Sequence, residues 1–279
     1  MDAYICRTCA VQYTPSEEPP ERCIICEDER QYVNWAGQQW TTLAELKAQG
    51  YKNVPRDHEP GLTGIGIEPF LGIGQRALLV QTPQGNVLWD CIGYIDDEAV
   101  AQVRALGGIA AIAVSHPHFY GAMIEWAHAF DAPVYIPEAD AQWLTRPDPA
   151  VRHFEGGVEL VPGVTLIQTG GHFEGSTVVH WAAGADGRGA LLTGDSIQVV
   201  QDRRFVSFMW SYPNLLPLPA STIRRIVDAV HPYPFDRIYG GWWHTVIDSG
   251  AREAVERSAE RYIRLTEGQI SPTAPASAV

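Results

Sequence analysis

The sequence predicts a mixed α/β (α+β) chain preceded by a small four-cysteine metal-binding ribbon. Three observations carry that reading. Four of the five cysteines fall within the first 26 residues as two C-x-x-C pairs. From about residue 67 onward, short apolar runs of strand character alternate with amphipathic helical stretches. Histidines and aspartates stand at the ends of several of those runs, where α/β folds place their sites.

The bulk properties agree. The chain has 279 residues, 46% hydrophobic and 19% charged, which is globular. At about 150 residues per domain this length suits roughly two domains. Lys plus Arg is 20 against 33 Asp plus Glu, a net charge of −13. So acidic a chain is a poor partner for nucleic acid or an anionic membrane surface. The longest plain apolar run, Gly108 to Val114, is far short of the ~20 residues a bilayer requires. The opening MDAYICRTCA lacks a basic flank followed by an apolar stretch, so the cytoplasm is the expected compartment.

Each element follows from local chemistry. Residues 1–32 are poor in apolar side chains, and a bound metal must stabilise their fold. Thr42-Leu43-Ala44-Glu45 has the form of a capping box and predicts a short helix ending at Gly50. The stretch 51–66, rich in Pro, Gly and charge, reads as a linker or wrapping loop, so 33–66 is assigned as a helix plus linker. Arg76 to Gln81 and Val87 to Asp90 form a hairpin across Pro83-Gln84-Gly85-Asn86. Asp96 or Asp97 caps a helix that stops at Gly107-Gly108. Ile109 to Val114 is a strand buried on both faces, followed by a helix over Met123 to Phe130 and a strand over Val134 to Ile136. Further strands are expected at Val158–Val161, Val164–Gln168, Thr177–Ala182 and Ala190–Thr193. A helix over Thr222–Val230, a strand over Arg237–Tyr239 and a helix from about Arg252 to Leu265 close the main domain at 67–268. Residues 269–279 read as a flexible tail.

The cysteine spacing is C-x2-C-x13-C-x2-C through Cys6, Cys9, Cys23 and Cys26. Two such turns facing each other make a tetrahedral S4 cage. The segment resembles the rubredoxin-like and zinc-ribbon families through Tyr4-Ile5-Cys6-Arg7-Thr8-Cys9 and Pro19-Pro20-Glu21-Arg22-Cys23-Ile24-Ile25-Cys26. Those families usually place Gly after the second cysteine of a knuckle, where this chain has Ala10 and Glu27. Zn²⁺ in the cage is structural, and Fe in the same cage is a one-electron carrier. Zinc is the expected ion.

Ser115-His116-Pro117-His118 follows directly on the strand ending at Val114, and two histidines one residue apart can turn their rings to one ion. Gly170-Gly171-His172 follows the strand ending at Gln168, and Thr193-Gly194-Asp195 ends another. Three imidazoles and a carboxylate form a ligand set for Zn²⁺, Fe or Mn. In their order along the chain these markers resemble the metallo-β-lactamase superfamily. The resemblance covers about 67–248: Asp90 in Val87-Leu88-Trp89-Asp90, His116-Pro117-His118, His172 with Gly175-Ser176-Thr177, and Asp195. It implies an αββα sandwich with the metal site along one sheet edge. The family's H-x-H-x-D-H continues with an Asp and a His that hold a second metal, and Tyr120 and Gly121 occupy those places here. His244, in Tyr239-Gly240-Gly241-Trp242-Trp243-His244, stands three residues later than the family's last histidine. One well-held ion is therefore expected in His116, His118, His172 and Asp195, with any second ion held weakly by Asp195 and His244.

The resemblance implies a hydrolase acting on a small ester, thioester or lactone-type substrate through metal-activated water. The expected catalytic residues are His244 as proton shuttle or second-site ligand, Tyr120 as oxyanion donor, and Asp90; His58 is a weaker candidate. The aromatic segment from Phe205 to Asn214 offers Phe208, Trp210 and Tyr212 as pocket walls, with Trp243 beside them. Two other readings stand beside this one. An iron-dependent redox protein would have the ribbon as its electron-transfer module, and would need a redox partner. A non-catalytic binding protein would have a decayed second metal site.

Overall fold

The computed structural model describes residues 1–269, so the expected tail from 270 onward lies outside the described residues. Two mixed sheets face each other with helices on both outer sides. The first sheet runs in simple sequence order: β1 (Lys52–Glu59), β2 (Leu62–Glu68), β3 (Ala77–Val80), β4 (Val87–Trp89), β5 (Ala111–Ala113), β6 (Val134–Pro137) and β7 (Val151–Phe154). Its first four strands are antiparallel; β4 through β7 are parallel. The second sheet is ordered β8 (Gly157–Val161), β9 (Val164–Gln168), β10 (Thr177–Trp181), β11 (Ala190–Leu192), β12 (Arg237–Tyr239) and β13 (Val246–Ile247), with only β11 and β12 parallel.

Strand alternation sorts side chains between layers. Leu78, Val80, Val87 and Trp89 point between the sheets, where they meet Val164, Leu166, Val179, Trp181 and Leu192. Ala77, Leu79, Leu88 and Ile112 point outward, into the core covered by α2 (Asp97–Ala105) and α3 (Met123–Phe130). On the far side, α4 (Ala220–Val230) and α5 (Ala251–Thr266) lay Ile223, Ile226, Val230 and Val255 against Val178, Leu191 and Ile238. These are the αββα layers that the resemblance implies. The capping box forms as expected: Thr42 Oγ1 accepts from Glu45 N at the start of α1 (Leu43–Ala48), and Glu45 accepts from Thr42 N. Among the described residues no helix is long and apolar enough to cross a membrane.

The segment 51–66 corrects the sequence reading. It is no linker: β1 and the first part of β2 form a long hairpin at the edge of the first sheet. Pro55 is tolerated because β1 is an edge strand, where a missing N–H breaks no ladder. Gly64 and Gly66 sit in the strand because the Trp243 ring lies directly on them; a Cβ at either would come 2.7 Å from that ring. The composition that resembles a loop is the imprint of a close approach.

The ribbon does not stand apart from this body. Cys6, Cys9, Val11, Tyr13, Cys23 and Ile25 belong to the same buried cluster as Leu79, Ile112 and Trp126. Ala10 adopts φ +65°, the left-handed conformation for which such knuckles commonly use Gly, and the bare backbones of Gly72 and Gly93 admit its methyl group. The second knuckle instead winds into a helical turn, Ile24–Glu27, and Glu27 needs no such conformation.

Gly66→Ala tests the Trp243 contact. The added methyl has backbone-fixed Cβ placement and cannot escape the ring, so about 1–3 kcal/mol of stability should be lost through overpacking. A urea-unfolding midpoint followed by tryptophan fluorescence measures it; an unchanged midpoint would show that the ring moves freely.

Candidate metal centre

The strand tips bring the histidines together. His116 follows β5 in extended conformation, and a 3-10 turn over Pro117–Phe119 presents His118 beside it. The left-handed pair Gly170 and Gly171 turns the chain after β9 to deliver His172. Gly194, at φ +50°, delivers Asp195 after β11; a Cβ there would lie 2.5 Å from Ser115 Oγ. One ligand atom from each of His116, His118, His172 and Asp195 lies within 4.8 Å of the others.

The spacing suits a small cation. His118 Nδ1 and His172 Nε2 are 3.3 Å apart, and Asp195 Oδ2 lies 3.5 Å from His116 Nε2 and 3.8 Å from His172 Nε2. Metal–nitrogen bonds of about 2.0–2.1 Å in a tetrahedron set neighbouring ligand atoms about 3.4 Å apart. His116 Nε2 and Asp195 Oδ1 are buried with no hydrogen-bond partner in the protein. Ser115 Oγ sits 2.8 Å from His116 Nδ1 and Met209 O sits 3.2 Å from His172 Nδ1. With these groups accepting the Nδ1 protons, both Nε2 lone pairs would be free to hold an ion.

Burial sets the protonation states. It pushes His116 and His118 well below the ordinary imidazole range and His172 down to about 4, so all three are neutral, as ligands must be. Burial also pushes Asp195 up to about 7, so a cation is needed to hold its carboxylate ionised near neutrality.

The other expected residues fall in different places. Asp90 is buried at φ +60° with Oδ1 accepting from Ser115 N at 2.7 Å; it positions the loop and is not one of the four converging ligands. Tyr120 lies elsewhere than expected: its ring is buried in the α2–α3 core, its hydroxyl donates to Asp140 O at 3.4 Å, and it is not one of the four converging groups. His244 is exposed and outside the ligand cluster. His58 accepts from Arg76 Nε at 3.1 Å. Phe208 also lies elsewhere than expected; it is wholly buried against Tyr262 in the α4–α5 core and lines no pocket at the centre. Tyr212 does lie at the centre, its ring 5.8 Å from that of His172 and its hydroxyl donating to Asp195 O at 3.0 Å. The segment 205–214 is also less irregular than expected, with Val206–Ser207 and Met209–Ser211 paired as short strands.

Two residues escaped the sequence reading. Ser115 is one. Arg30 is the other, and it comes from the chain just after the ribbon. Its guanidinium grips Asp28 at 2.6 and 2.9 Å, donates to His172 O at 3.3 Å, and lies 3.8 Å from the Phe173 ring centre, with Trp210 at 5.3 Å. Asn214 Nδ2 donates to the carbonyls of Glu29 and Gln31, and Ser211 Oγ to that of Arg30. A strap from the ribbon thus covers the centre, whose four ligands are all at most 5% exposed. Only spatial proximity marks Arg30, and no local pattern signals it.

The four cysteines form the second cluster. Cys6 and Cys26 Sγ lie 3.6 Å apart and Cys9 and Cys23 Sγ 3.7 Å apart, near the roughly 3.8 Å edge of a tetrahedron with metal–sulfur bonds of about 2.3 Å. Gln38 Nε2 donates to Cys6 Sγ and Tyr13 Oη to Cys23 Sγ, both at 3.2 Å, as donors to thiolates do.

With fold and site in place, comparison with known proteins identifies the class. Residues 72–272 match the Metallo-beta-lactamase superfamily, and the chain belongs to that superfamily. It is 47% identical over 275 residues, 98% of this chain and 100% of the relative, to the "Uncharacterized protein YmaE" of Bacillus subtilis (strain 168). Among solved structures it is similar to the metallo-beta-lactamase SMB-1 in complex with mercaptoacetic acid, at TM-score 0.51 and 19% identity over 75% of this chain and 95% of that one. It is also similar to VMB-1 at TM-score 0.57 and 13% identity, covering 77% and 98%. These two likenesses show the fold.

Ser115→Ala should weaken metal binding at the histidine centre about 10–100-fold while the ribbon keeps its ion, because it removes the group that orients His116. Competition with a chromophoric chelator measures this. Equal affinity in the variant would show that the loop backbone alone fixes the ring.

Proposed function

We propose that the chain is a hydrolase that uses one metal ion, zinc by preference, to cleave a small ester, thioester or lactone-type substrate in the cytoplasm. The observation that carries this reading is the buried quartet His116, His118, His172 and Asp195 at the strand tips of the sandwich. Among the described residues no second group of ligands converges beside it; the four-cysteine cluster belongs to the ribbon. The quartet would hold a divalent cation, which would supply Lewis-acid polarisation and an activated water near neutral pH.

The chain's own residues do the rest. Ser115 and Met209 fix the ring tautomers. Tyr212, bonded to the Asp195 backbone, and the Arg30 strap exclude water around the centre. Trp210 and Tyr212 remain as candidate walls for the substrate. His244, exposed after β12, is the proposed proton carrier between the centre and solvent. The ribbon is read as structural, with zinc in its cysteine cage. Iron there, with a red colour, would favour the redox reading and a redox partner.

An ester, thioester and lactone panel on the zinc-loaded protein tests the proposal. His116→Ala should abolish turnover together with metal binding at the centre. His244→Gln should lower kcat roughly 10²-fold with the ion retained, and Tyr120→Phe should leave it unchanged. A loss in Tyr120→Phe equal to that in His244→Gln would contradict the assignment, and so would a fully active His244→Gln.

A further inference from the structure

We infer that Arg76 is the second cation of this centre, a built anchor for an anionic oxygen group of the substrate beside the turn that follows β12. The inference rests on the hydrolase reading and narrows its substrate to molecules with a carboxylate, sulfate or phosphate-class group near the scissile bond.

Arg76 immediately precedes β3 and is 1% exposed. A buried guanidinium normally sits against a carboxylate. Among the described residues none lies within ion-pair distance of this one. Its Nε is taken by His58 Nε2 at 3.1 Å and its Nη1 by Gly240 O at 2.8 Å, while Nη2 has no partner. Tyr239 and Asp90 are the acidic side chains that act on its charge, and Asp90 carries the loop of the metal ligands.

Its location gives the orphaned donor meaning. Arg76 N donates to Gly241 O at 2.9 Å, so backbone and side chain together clamp the Gly240–Gly241 turn after β12, which is the family's place for its last histidine. Gly241 abuts Phe119, where a Cβ would lie 2.7 Å from the ring, and Phe119 packs on His116 with ring centres 4.6 Å apart. Two residues, Gly241 and Phe119, thus link Arg76 to the first metal ligand, His116. The half-buried Trp243 packs on His58 and Arg76, and exposed His244 follows it, so this loop is the approach from solvent. Arginine suits the role because it stays charged at neutral pH even where burial lowers it to about 9, and its planar fork matches a carboxylate or an oxyanion.

The test titrates the full-length, zinc-loaded protein with sulfate at constant ionic strength set by sodium chloride, following tryptophan fluorescence and the thermal midpoint. Saturable sulfate binding is expected in the wild type. It should be weakened about tenfold or more in Arg76→Met and less in Arg76→Lys, as loss of charge-assisted hydrogen bonds implies. Crystals soaked in selenate give a measurement that needs no variant: an anomalous peak within hydrogen-bond distance of Arg76 Nη2. Undiminished sulfate binding in Arg76→Met, no sulfate effect in the wild type, or selenate on the zinc alone would each overturn the inference. Sulfate binding is independent of turnover, so an inactive ester panel with an intact Arg76-dependent sulfate site would remove the hydrolase reading and leave only an anion site at Arg76, whereas an active panel with no such site would remove the Arg76 inference alone.

Discussion

Ser115 is the knot on which the centre depends. Its N–H donates to Asp90 Oδ1, its carbonyl accepts from Thr177 N at 2.9 Å, and its hydroxyl meets His116 Nδ1. One residue, wholly buried, thereby ties the end of β4 and the end of β5 to the start of β10 in the opposite sheet. The two sheets carry different ligands: His116 and His118 leave the first, His172 and Asp195 the second. A small cation requires all four within a few tenths of an ångström, so the sandwich must be locked where they meet. The tight Gly194, pressed on the same hydroxyl, shows how little freedom is left there.

That lock has an energetic consequence. Three neutral histidines and a carboxylate in a nearly water-free pocket are costly without a cation, because burial opposes the ionised Asp195. Metal binding and the local fold are thus one equilibrium. The ribbon enters the same balance. Its cage lies in the core shared with the first sheet, and its Arg30 strap lies over His172 and Phe173. The ribbon is in this sense a wall of the centre, and Arg30 stands only four residues after Cys26.

Most of the frame was legible in the sequence because it is written in local patterns. The apolar run before His116, the hairpin through Gln84-Gly85 and the caps at Thr42 and Asp96 each carry their own chemistry, and the structure forms them where expected. The strand-end histidines were legible for the same reason. What escaped depends on distant contacts. The β1–β2 hairpin looked like a loop because Gly64 and Gly66 answer to Trp243, nearly 180 residues away. Tyr120 and Phe208 stand near ligands in sequence but turn into the two outer cores. Arg30 and Arg76 look like surface charges in the sequence, and only the packed sheets reveal that both are enclosed beside the centre.

The most direct test of the account is the metal content per chain of the full-length protein purified without added metal, measured with its absorption spectrum. The account predicts two zinc ions per chain and no visible band, one of them lost in His116→Ala and the other in a Cys6→Ser, Cys9→Ser double variant. A single ion that disappears with the cysteines alone would contradict it, for the histidine quartet would then hold no metal.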